Sequence, residues 1–119
     1  MSTVPTPKRG EVWLVNLDPT VGAEINKTRW VIVVSSDGVV RLPLKVVVPL
    51  TSWKEHFRQT NWLIEIPPSS SNGLTAVSAA DTLQVRCVAL ERFIRKEGKA
   101  TSTVMREIAA AIAALVEYE

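Results

Sequence analysis

The sequence predicts a mainly β fold with a C-terminal α-helix, arranged as a small antiparallel barrel or twisted sheet on which the helix packs. Two observations lead to this fold class. Short apolar segments rich in β-branched and aromatic residues recur along the chain, and Pro, Gly or Ser residues stop them. After Gly98 the apolar residues follow a helical period. Strands and helices do not alternate, which argues against a doubly wound parallel sheet.

Six segments are predicted to be strands. They span residues 11–17, 30–34, 44–48, 62–66, 75–78 and 84–89. The second segment is an unbroken apolar run, which is typical of a strand buried on both faces. In the sixth segment, alternation places Val85 and Cys87 on one side and Arg86 on the other. Cys87 is therefore interpreted as a small core residue.

One amphipathic helix is predicted after Gly98. Its apolar stripe has spacings of four, four and three residues and consists of Val104, Ile108, Ile112 and Leu115. The alanines between these residues are strong helix formers. Either Ser102 or Thr103 is expected to cap the N-terminus of the helix.

The chain is predicted to be one domain, because 119 residues is a usual domain length. Residues 1–7 are expected to form a flexible N-terminal tail before a single domain at residues 8–119. The single cysteine excludes a disulfide scaffold. No apolar run approaches the ~20 residues that cross a bilayer, and the N-terminus lacks the apolar segment of a secretory signal. We therefore expect a soluble cytoplasmic protein with no membrane partner.

The charge distribution permits a nucleic-acid site without indicating one. The net charge is +2, and it divides into +3 over residues 1–60 and −1 over residues 61–119. This excess of positive charge in the first half is modest, and many proteins with other partners share it.

The residue inventory narrows the possible chemistry. The sequence has no phosphate-binding P-loop and no Gly-x-Gly-x-x-Gly motif. One histidine and one cysteine cannot form a Cys/His zinc site. A Ser-His-Asp triad through His56 is formally possible, but no nucleophile-elbow motif is present. We expect no metal and no cofactor, so any chemistry depends on Arg, Lys, carboxylates, hydroxyls and at most one histidine.

Four segments carry recognisable motifs, and they span residues 8–24, 27–35, 46–52 and 73–86. The first combines a basic-Gly-Glu start with a Trp/Val strand, Asp-Pro and Gly-x-Glu, and the third contains Val-x-Pro-Leu-Thr-Ser. In this order, over nearly the whole chain, they resemble the MazF/PemK (Kid) toxin family. Three residues depart from the family pattern: Trp30 replaces a proline, Thr82 a common glutamine and Gln84 a common arginine.

The resemblance implies an SH3-like small barrel of the CcdB/MazF type and a toxin of a type II toxin–antitoxin pair. Members of the family form homodimers and cut single-stranded RNA, including mRNA, at short sequences without a metal. The ribose 2′-OH attacks the adjacent phosphorus, which leaves a 2′,3′-cyclic phosphate and a 5′-OH end. The implied partners are single-stranded RNA and a cognate acidic antitoxin, which would lie across the RNA groove.

Three residues are the catalytic candidates that the resemblance implies. Arg29 stands just before a buried strand, and its planar, permanently charged guanidinium suits stabilisation of the phosphate. The Thr51 hydroxyl could donate to a non-bridging phosphate oxygen. Glu24, in the loop before Arg29, could accept the 2′-OH proton as a general base, provided that burial or substrate contact raises its pKa.

A second set of residues is expected to bind RNA. Lys27, Lys54 and Arg58 would attract phosphates, and Trp53 could stack on a base beside His56. Ser52 has the capping-box spacing to Glu55, which predicts the cap of a short helical turn through Phe57 and free backbone N–H groups near the phosphate. By the resemblance alone, base edges would be read by Asp81, Gln84 and Arg86.

Two other functions stay open at this point. A CcdB-like protein would share the fold and poison DNA gyrase by binding it, and its C-terminal helix rather than Arg29 would then carry toxicity. A catalytically silent binding module is the second alternative. The departures at Trp30, Thr82 and Gln84 favour it, whereas the Arg29 and Thr51 motifs favour the nuclease.

Overall fold

The computed structural model describes residues 6–38 and 42–118. Seven strands and one long helix form the fold. In chain order they are β1 (Glu11–Asn16), β2 (Thr28–Val33), β3 (Leu44–Ser52), β4 (Leu63–Ile66), β5 (Ser78–Asp81), β6 (Arg86–Ala89), β7 (Phe93–Lys99) and α1 (Ser102–Leu115). Short 3₁₀ helices lie at Glu55–Gln59, Thr82–Gln84 and Leu90–Arg92. The expected flexible tail falls mostly on residues 1–5, which are outside the described residues, and Pro7 is buried.

All the strand pairs are antiparallel, and β3 organises the sheet. The strand order is β4-β5-β3-β2-β1-β7, with β6 also paired to β3. The first half of the nine-residue β3 pairs with β6, and its last three residues pair with β5. Among the described strands the order does not close into a barrel. The predicted mainly β architecture with a C-terminal helix is confirmed, as an open sheet.

Two hydrophobic cores lie on opposite faces of the sheet. Ile32 belongs to the core that includes Met105 and Ile108 of α1, whereas its neighbours Val31 and Val33 belong to the core around Phe93. All three β2 residues are fully buried. Because consecutive strand residues point to opposite faces, each face of β2 meets its own core. The prediction that this strand is buried on both faces is confirmed.

The C-terminal helix follows the predicted stripe but begins with a different cap. Thr101, not Ser102 or Thr103, is the N-cap, and its Oγ1 accepts a hydrogen bond from the Val104 N–H at 3.2 Å. Ile108 is fully buried, and Met105 lies beside it in the core. The prediction was one residue late because three consecutive residues all carry hydroxyl groups that suit a cap. No helix in the described part of the chain is long and apolar enough to cross a membrane.

Two predictions about individual residues were wrong. Cys87 is exposed rather than part of the core, because the strand begins at Arg86 and its buried residue is Val88. Ser52 does not cap a helical turn. It ends β3, where it pairs with Ser78, and the 3₁₀ helix begins at Glu55 after an N-cap at Lys54 that makes no side-chain cap bond.

Two larger differences concern the strands. The predicted strand at 75–78 lies three residues later, at Ser78–Asp81, and the segment before it is a loop. The strand β7 was not predicted. Its sequence FIRKEGK buries only Phe93 fully, and it forms by pairing with β1 rather than through an apolar pattern of its own.

Candidate active site and RNA interface

A shallow pocket of about 250 Å³, here called the Arg29 pocket, lies between the start of β2, the end of β3 and the segment before β5. Its walls include Arg29, Trp30, Thr51 and Ser52. The β2–β3 register pairs Val31 with Pro49, and beyond that pair Arg29 of β2 and Thr51 of β3 both line the pocket. The sequence therefore brings a guanidinium and two hydroxyl groups to one end of adjacent strands.

The backbone before β2 positions the Arg29 guanidinium. Its Nε donates a hydrogen bond to the Asn26 carbonyl oxygen at 3.0 Å. Lys27, between them, adopts a left-handed φ of 65°, which turns the chain sharply into the strand. Among the described residues no other hydrogen bond engages this guanidinium, so its terminal N–H groups can donate to a ligand in the pocket. Such a fork matches two oxygens of a phosphate.

The far wall of the pocket depends on close approach between two backbone segments. The 69–73 loop lies against β7, where the Lys99 N–H donates to the Ser71 carbonyl oxygen at 2.8 Å. Gly73 has a φ of 72°, and a β-carbon there would collide with the backbone of Glu97. A side chain at Gly73 is thus excluded twice, by its dihedral and by space. This contact between the 69–73 loop and β7 fixes where the 74–78 segment begins, and that segment forms one wall of the pocket.

The electrostatic character of the Arg29 pocket is simple. Among the described residues that line it, no carboxylate or imidazole is present, and Arg29 is the sole charged side chain. The other walls supply hydroxyl groups from Thr28, Thr51 and Ser52 together with apolar surface. The pocket can hold an anion and donate hydrogen bonds to it. By itself it offers no side chain that accepts a proton at neutral pH.

Glu24 lies in a second pocket, of about 480 Å³, here called the Glu24 pocket, which Gln84 and Arg86 also line. The Glu24 Oε1 accepts a hydrogen bond from the Val21 N–H at 2.7 Å and so closes a tight turn of the β1–β2 loop. The structure therefore separates this carboxylate from the Arg29 pocket. Pro49 lines the Glu24 pocket and Leu50 lines the Arg29 pocket, so the two lie at consecutive residues of β3.

Gln84 and Arg86 hold the β1–β2 loop. The Gln84 amide accepts from the Ile25 N–H at 2.5 Å and donates to the Ala23 carbonyl oxygen at 3.2 Å. The Arg86 guanidinium donates to the Leu17 carbonyl oxygen at 3.3 Å. These contacts join the 3₁₀ turn after β5 to the loop that precedes Arg29. The departure at Gln84 therefore has a structural explanation, which the sequence did not indicate.

Asp81 and Thr82 are directed toward the protein interior. Thr82 is fully buried, and its hydroxyl donates to the Trp62 carbonyl oxygen at 2.7 Å. Asp81 has one buried carboxylate oxygen with no hydrogen-bond partner among the described residues. Burial raises the pKa of Asp81, while hydrogen bonds from Leu83 and Gln84 oppose that shift. Thr82 cannot touch a substrate without local unfolding.

The 53–58 segment forms a compact surface cluster, here called the Trp53 cluster. Trp53 and Phe57 meet edge to face with centroids 5.7 Å apart, and the Arg58 guanidinium lies 5.4 Å from the Trp53 ring centroid. Arg58 also bridges Glu55 at 2.9 Å and Glu65 at 3.1 Å. These hydrogen bonds and charges lower the pKa of Glu55 and raise the pKa of Arg58.

The cluster therefore presents less positive charge than its sequence suggests, because two carboxylates already engage Arg58. His56 is exposed beside Phe57, with ring centroids 4.8 Å apart, and Lys54 is exposed. Lys27 is likewise exposed, before β2. Of the expected RNA-binding side chains, these three remain accessible and are not tied by an ion pair within the described structure.

The structure brings Arg29, Thr51 and Ser52 together and leaves Glu24, Gln84 and Arg86 in the neighbouring pocket. Sequence reasoning missed one residue beside the site. Arg95 of β7 lies over the Trp30 ring, with its Cζ 5.3 Å from the centroid. No local signal in the sequence could have found it, because β7 has no alternating pattern and the contact arises from the pairing of both strands with β1. Within residues 6–38 and 42–118, no three His, Cys, Asp or Glu side chains cluster as metal ligands.

Comparisons with known proteins agree on one family. Residues 8–116 match the model of the PemK-like, MazF-like toxins of type II toxin–antitoxin systems. The chain is 33% identical over 107 residues to the endoribonuclease MazF9 of Mycobacterium tuberculosis. The alignment covers 85% of this chain and 88% of that protein. The family resemblance seen in the sequence is therefore confirmed.

Solved structures show the same fold at low sequence identity. MazF from Deinococcus radiodurans superposes with a TM-score of 0.77 at 20% identity, covering 95% of this chain and 98% of that one. A mycobacterial endoribonuclease, solved in complex with its cognate antitoxin, gives a TM-score of 0.73 at 20% identity, covering 95% and 97% of the two chains. The predicted MazF-like fold is confirmed.

Proposed function

The chain belongs to the family of PemK-like, MazF-like toxins of type II toxin–antitoxin systems, and from this membership we propose that it is an endoribonuclease that cleaves single-stranded RNA, including mRNA, at specific sequences. The relative that aligns with most of the chain is named an endoribonuclease. The observation that carries the proposal is the Arg29 pocket, which is lined by the Thr51 hydroxyl and by a guanidinium whose terminal N–H groups have no partner among the described residues. The pocket fits a phosphate and needs no metal to hold it.

The proposed reaction is a transphosphorylation within the RNA. The ribose 2′-OH forms a bond to the adjacent phosphorus, the bond to the 5′ oxygen of the next nucleotide breaks, and one proton moves from the 2′ oxygen to the departing oxygen. The products are a 2′,3′-cyclic phosphate and a 5′-OH end. The Arg29 guanidinium stabilises negative charge on the non-bridging oxygens, and Thr51 donates a further hydrogen bond. Because the substrate supplies the nucleophile, orientation and electrostatics are the protein's main contributions.

Glu24 is proposed as the general base, and the structure specifies what this role requires. Its carboxylate must release the Val21 N–H and move from the Glu24 pocket toward Arg29. Gln84 opposes that movement by holding Ala23 and Ile25. RNA binding would therefore have to rearrange the β1–β2 loop before proton transfer.

The proposed RNA path runs from the β1–β2 loop across the Arg29 pocket to the Trp53 cluster. Lys27 and Lys54 attract phosphates from either side, and Ser52 offers a hydroxyl within the pocket. Trp53 and His56 supply ring surfaces for bases. In the Glu24 pocket, Gln84 and Arg86 are proposed to read base edges with the N–H groups that the loop leaves free.

Two further residues, Arg58 and Asp81, have proposed roles that do not involve direct contact with RNA. Arg58 contributes by holding Trp53 in place while its charge is balanced by Glu55 and Glu65. Asp81 is proposed to act on base recognition by shaping the turn that carries Gln84. The helix of Thr82–Gln84 begins directly after Asp81, so a change there would move the Gln84 amide.

The proposed partners follow from family membership. We propose a homodimer and a cognate antitoxin with an acidic segment that competes with RNA for the Arg29 pocket. An apolar groove of about 480 Å³ between α1 and the sheet is lined by Val34, Val46 and Ile112 among others, which supports association through that face. Action on mRNA places the proposed site of function in the cytoplasm.

The test uses purified protein and a long single-stranded RNA, with and without EDTA. Discrete fragments that persist in EDTA and carry 2′,3′-cyclic phosphate and 5′-OH ends are expected. A 2′-deoxy nucleotide at the mapped cleavage position should block the cut, because the nucleophile is missing. Intact RNA across several substrates, with growth inhibition that Arg29→Ala retains, would instead support the CcdB-like alternative.

A further inference from the structure

We propose that Arg95, stacked on Trp30, is a platform for one nucleobase of the bound RNA. The proposal rests on the proposed function, because it concerns how the same RNA is held. Trp30 lines the Arg29 pocket, and the Arg95 Cζ lies 5.3 Å from the centroid of its ring. A cation at this distance over an indole is attracted by the negative face of the ring.

The sheet fixes the position of the platform. In the β1–β2 register Leu14 faces Trp30, and in the β1–β7 register the same Leu14 faces Arg95. The three residues therefore form a row across β2, β1 and β7. Trp30 is partly buried and packs against the core that contains Val12 and Ile32, so its ring is held from below. Regular strands, rather than a mobile loop, carry both members of the stack.

The outer side of the stack is open to a ligand. The Arg95 side chain is 61% exposed, and its nearest carboxylate is Glu97, 4.0 Å from Nε. An exposed ion pair at that distance is weak. Arginine planes stack on unpaired bases of single-stranded RNA as aromatic rings do. Because Arg29 and Trp30 both line the Arg29 pocket, a phosphate held at Arg29 brings the bases next to it within reach of the Arg95 plane.

The test measures binding separately from cleavage. The ligand is a short RNA of the mapped cleavage sequence with a 2′-deoxy nucleotide at the scissile position, which binds without being cut. Arg95→Ala should weaken its binding about tenfold, and Arg95→Lys should weaken it about fivefold, since lysine keeps the charge but not the plane. Arg106→Ala removes the same charge from an exposed position on α1 and should change binding by less than about twofold. Equal binding by Arg95→Lys and the wild type would overturn the platform.

A second series distinguishes a base from a phosphate as the ligand of Arg95. One base at a time is replaced by an abasic nucleotide, which leaves every phosphate in place. At one position the tenfold effect of Arg95→Ala should disappear, because the base that stacks is already missing. If the effect is the same at every position, Arg95 contacts phosphate and the platform is wrong. If the wild type neither cleaves nor binds RNA, both the proposed function and the platform are wrong. If the wild type cleaves RNA and the Arg95 variants bind it as tightly as the wild type does, only the platform is wrong.

Discussion

Replacing Gln84 with alanine should loosen the β1–β2 loop and lower the free energy of unfolding. The Gln84 amide accepts from the Ile25 N–H at 2.5 Å and donates to the Ala23 carbonyl oxygen at 3.2 Å, across 59 and 61 residues of chain. A typical intramolecular hydrogen bond contributes about 0.5–1.5 kcal/mol net. Two such bonds predict a loss of about 1–3 kcal/mol.

Urea denaturation measures the loss, and amide hydrogen exchange locates it. The midpoint for Gln84→Ala should fall with the slope unchanged, and the Ile25 amide should exchange faster while amides of the β2 core keep their protection. Gln59→Ala, at an exposed glutamine that ends the 3₁₀ helix Glu55–Gln59, is the matched control and should leave the stability within about 0.5 kcal/mol. An unchanged midpoint and unchanged exchange at Ile25 would refute the loop-holding role of Gln84.

Three further outcomes are expected. Ile108→Ala leaves a cavity at a fully buried site and should lower the free energy of unfolding, measured by urea denaturation, by about 2–5 kcal/mol. Ile94→Ala, at an exposed isoleucine, should lower it far less, and equal losses would contradict the assigned core. Burial raises the pKa of Glu11, but bonds from groups including Lys96, 2.9 Å away, leave it below its ordinary 4.5. The ionised Glu11 carboxylate therefore stabilises the fold above about pH 4.5, and this stabilisation is lost as the pH falls through the folded-state pKa. Glu11→Gln should make the free energy of unfolding fall less steeply with pH on the acid side, and an unchanged fall would contradict this assignment. Cys87 is exposed and should react with a maleimide in the folded protein, whereas labelling that requires denaturant would place it in the core.

Strong apolar patterns predicted most of the fold. The run at 30–34 and the stripe through Ile108 carry unambiguous periods, and the structure places both in the cores. The β7 strand carries no such period, because Arg95 and Lys96 are exposed and its stability comes from pairing with β1. Cys87 illustrates how sensitive alternation is, since Val85 lies outside the strand, at the end of the preceding 3₁₀ helix, and the alternation counted from it placed Cys87 rather than Val88 in the core.

The candidate site was predictable in part, and the reason is the distance along the chain over which its residues interact. Arg29 and Thr51 were found because each belongs to a recognisable local motif, and the pairing of β2 with β3 then brings both to the lining of one pocket. The separation of Glu24 from Arg29 depends on a hydrogen bond within a turn and on Gln84, 60 residues away. The pairing of Trp30 with Arg95 spans three strands. No local pattern specifies such contacts.

The single-turnover rate of RNA cleavage in EDTA, measured for Arg29 variants, tests the central claim most directly. If the guanidinium stabilises the phosphate, Arg29→Ala should slow cleavage by about 100-fold or more, and Arg29→Lys by at least about tenfold, because an ammonium cannot reproduce the fork. Arg106→Ala, which removes an equal charge at an exposed position on α1, should retain the wild-type rate within about twofold. Cleavage by Arg29→Ala within about threefold of the wild type would contradict the assignment of the active site to the Arg29 pocket.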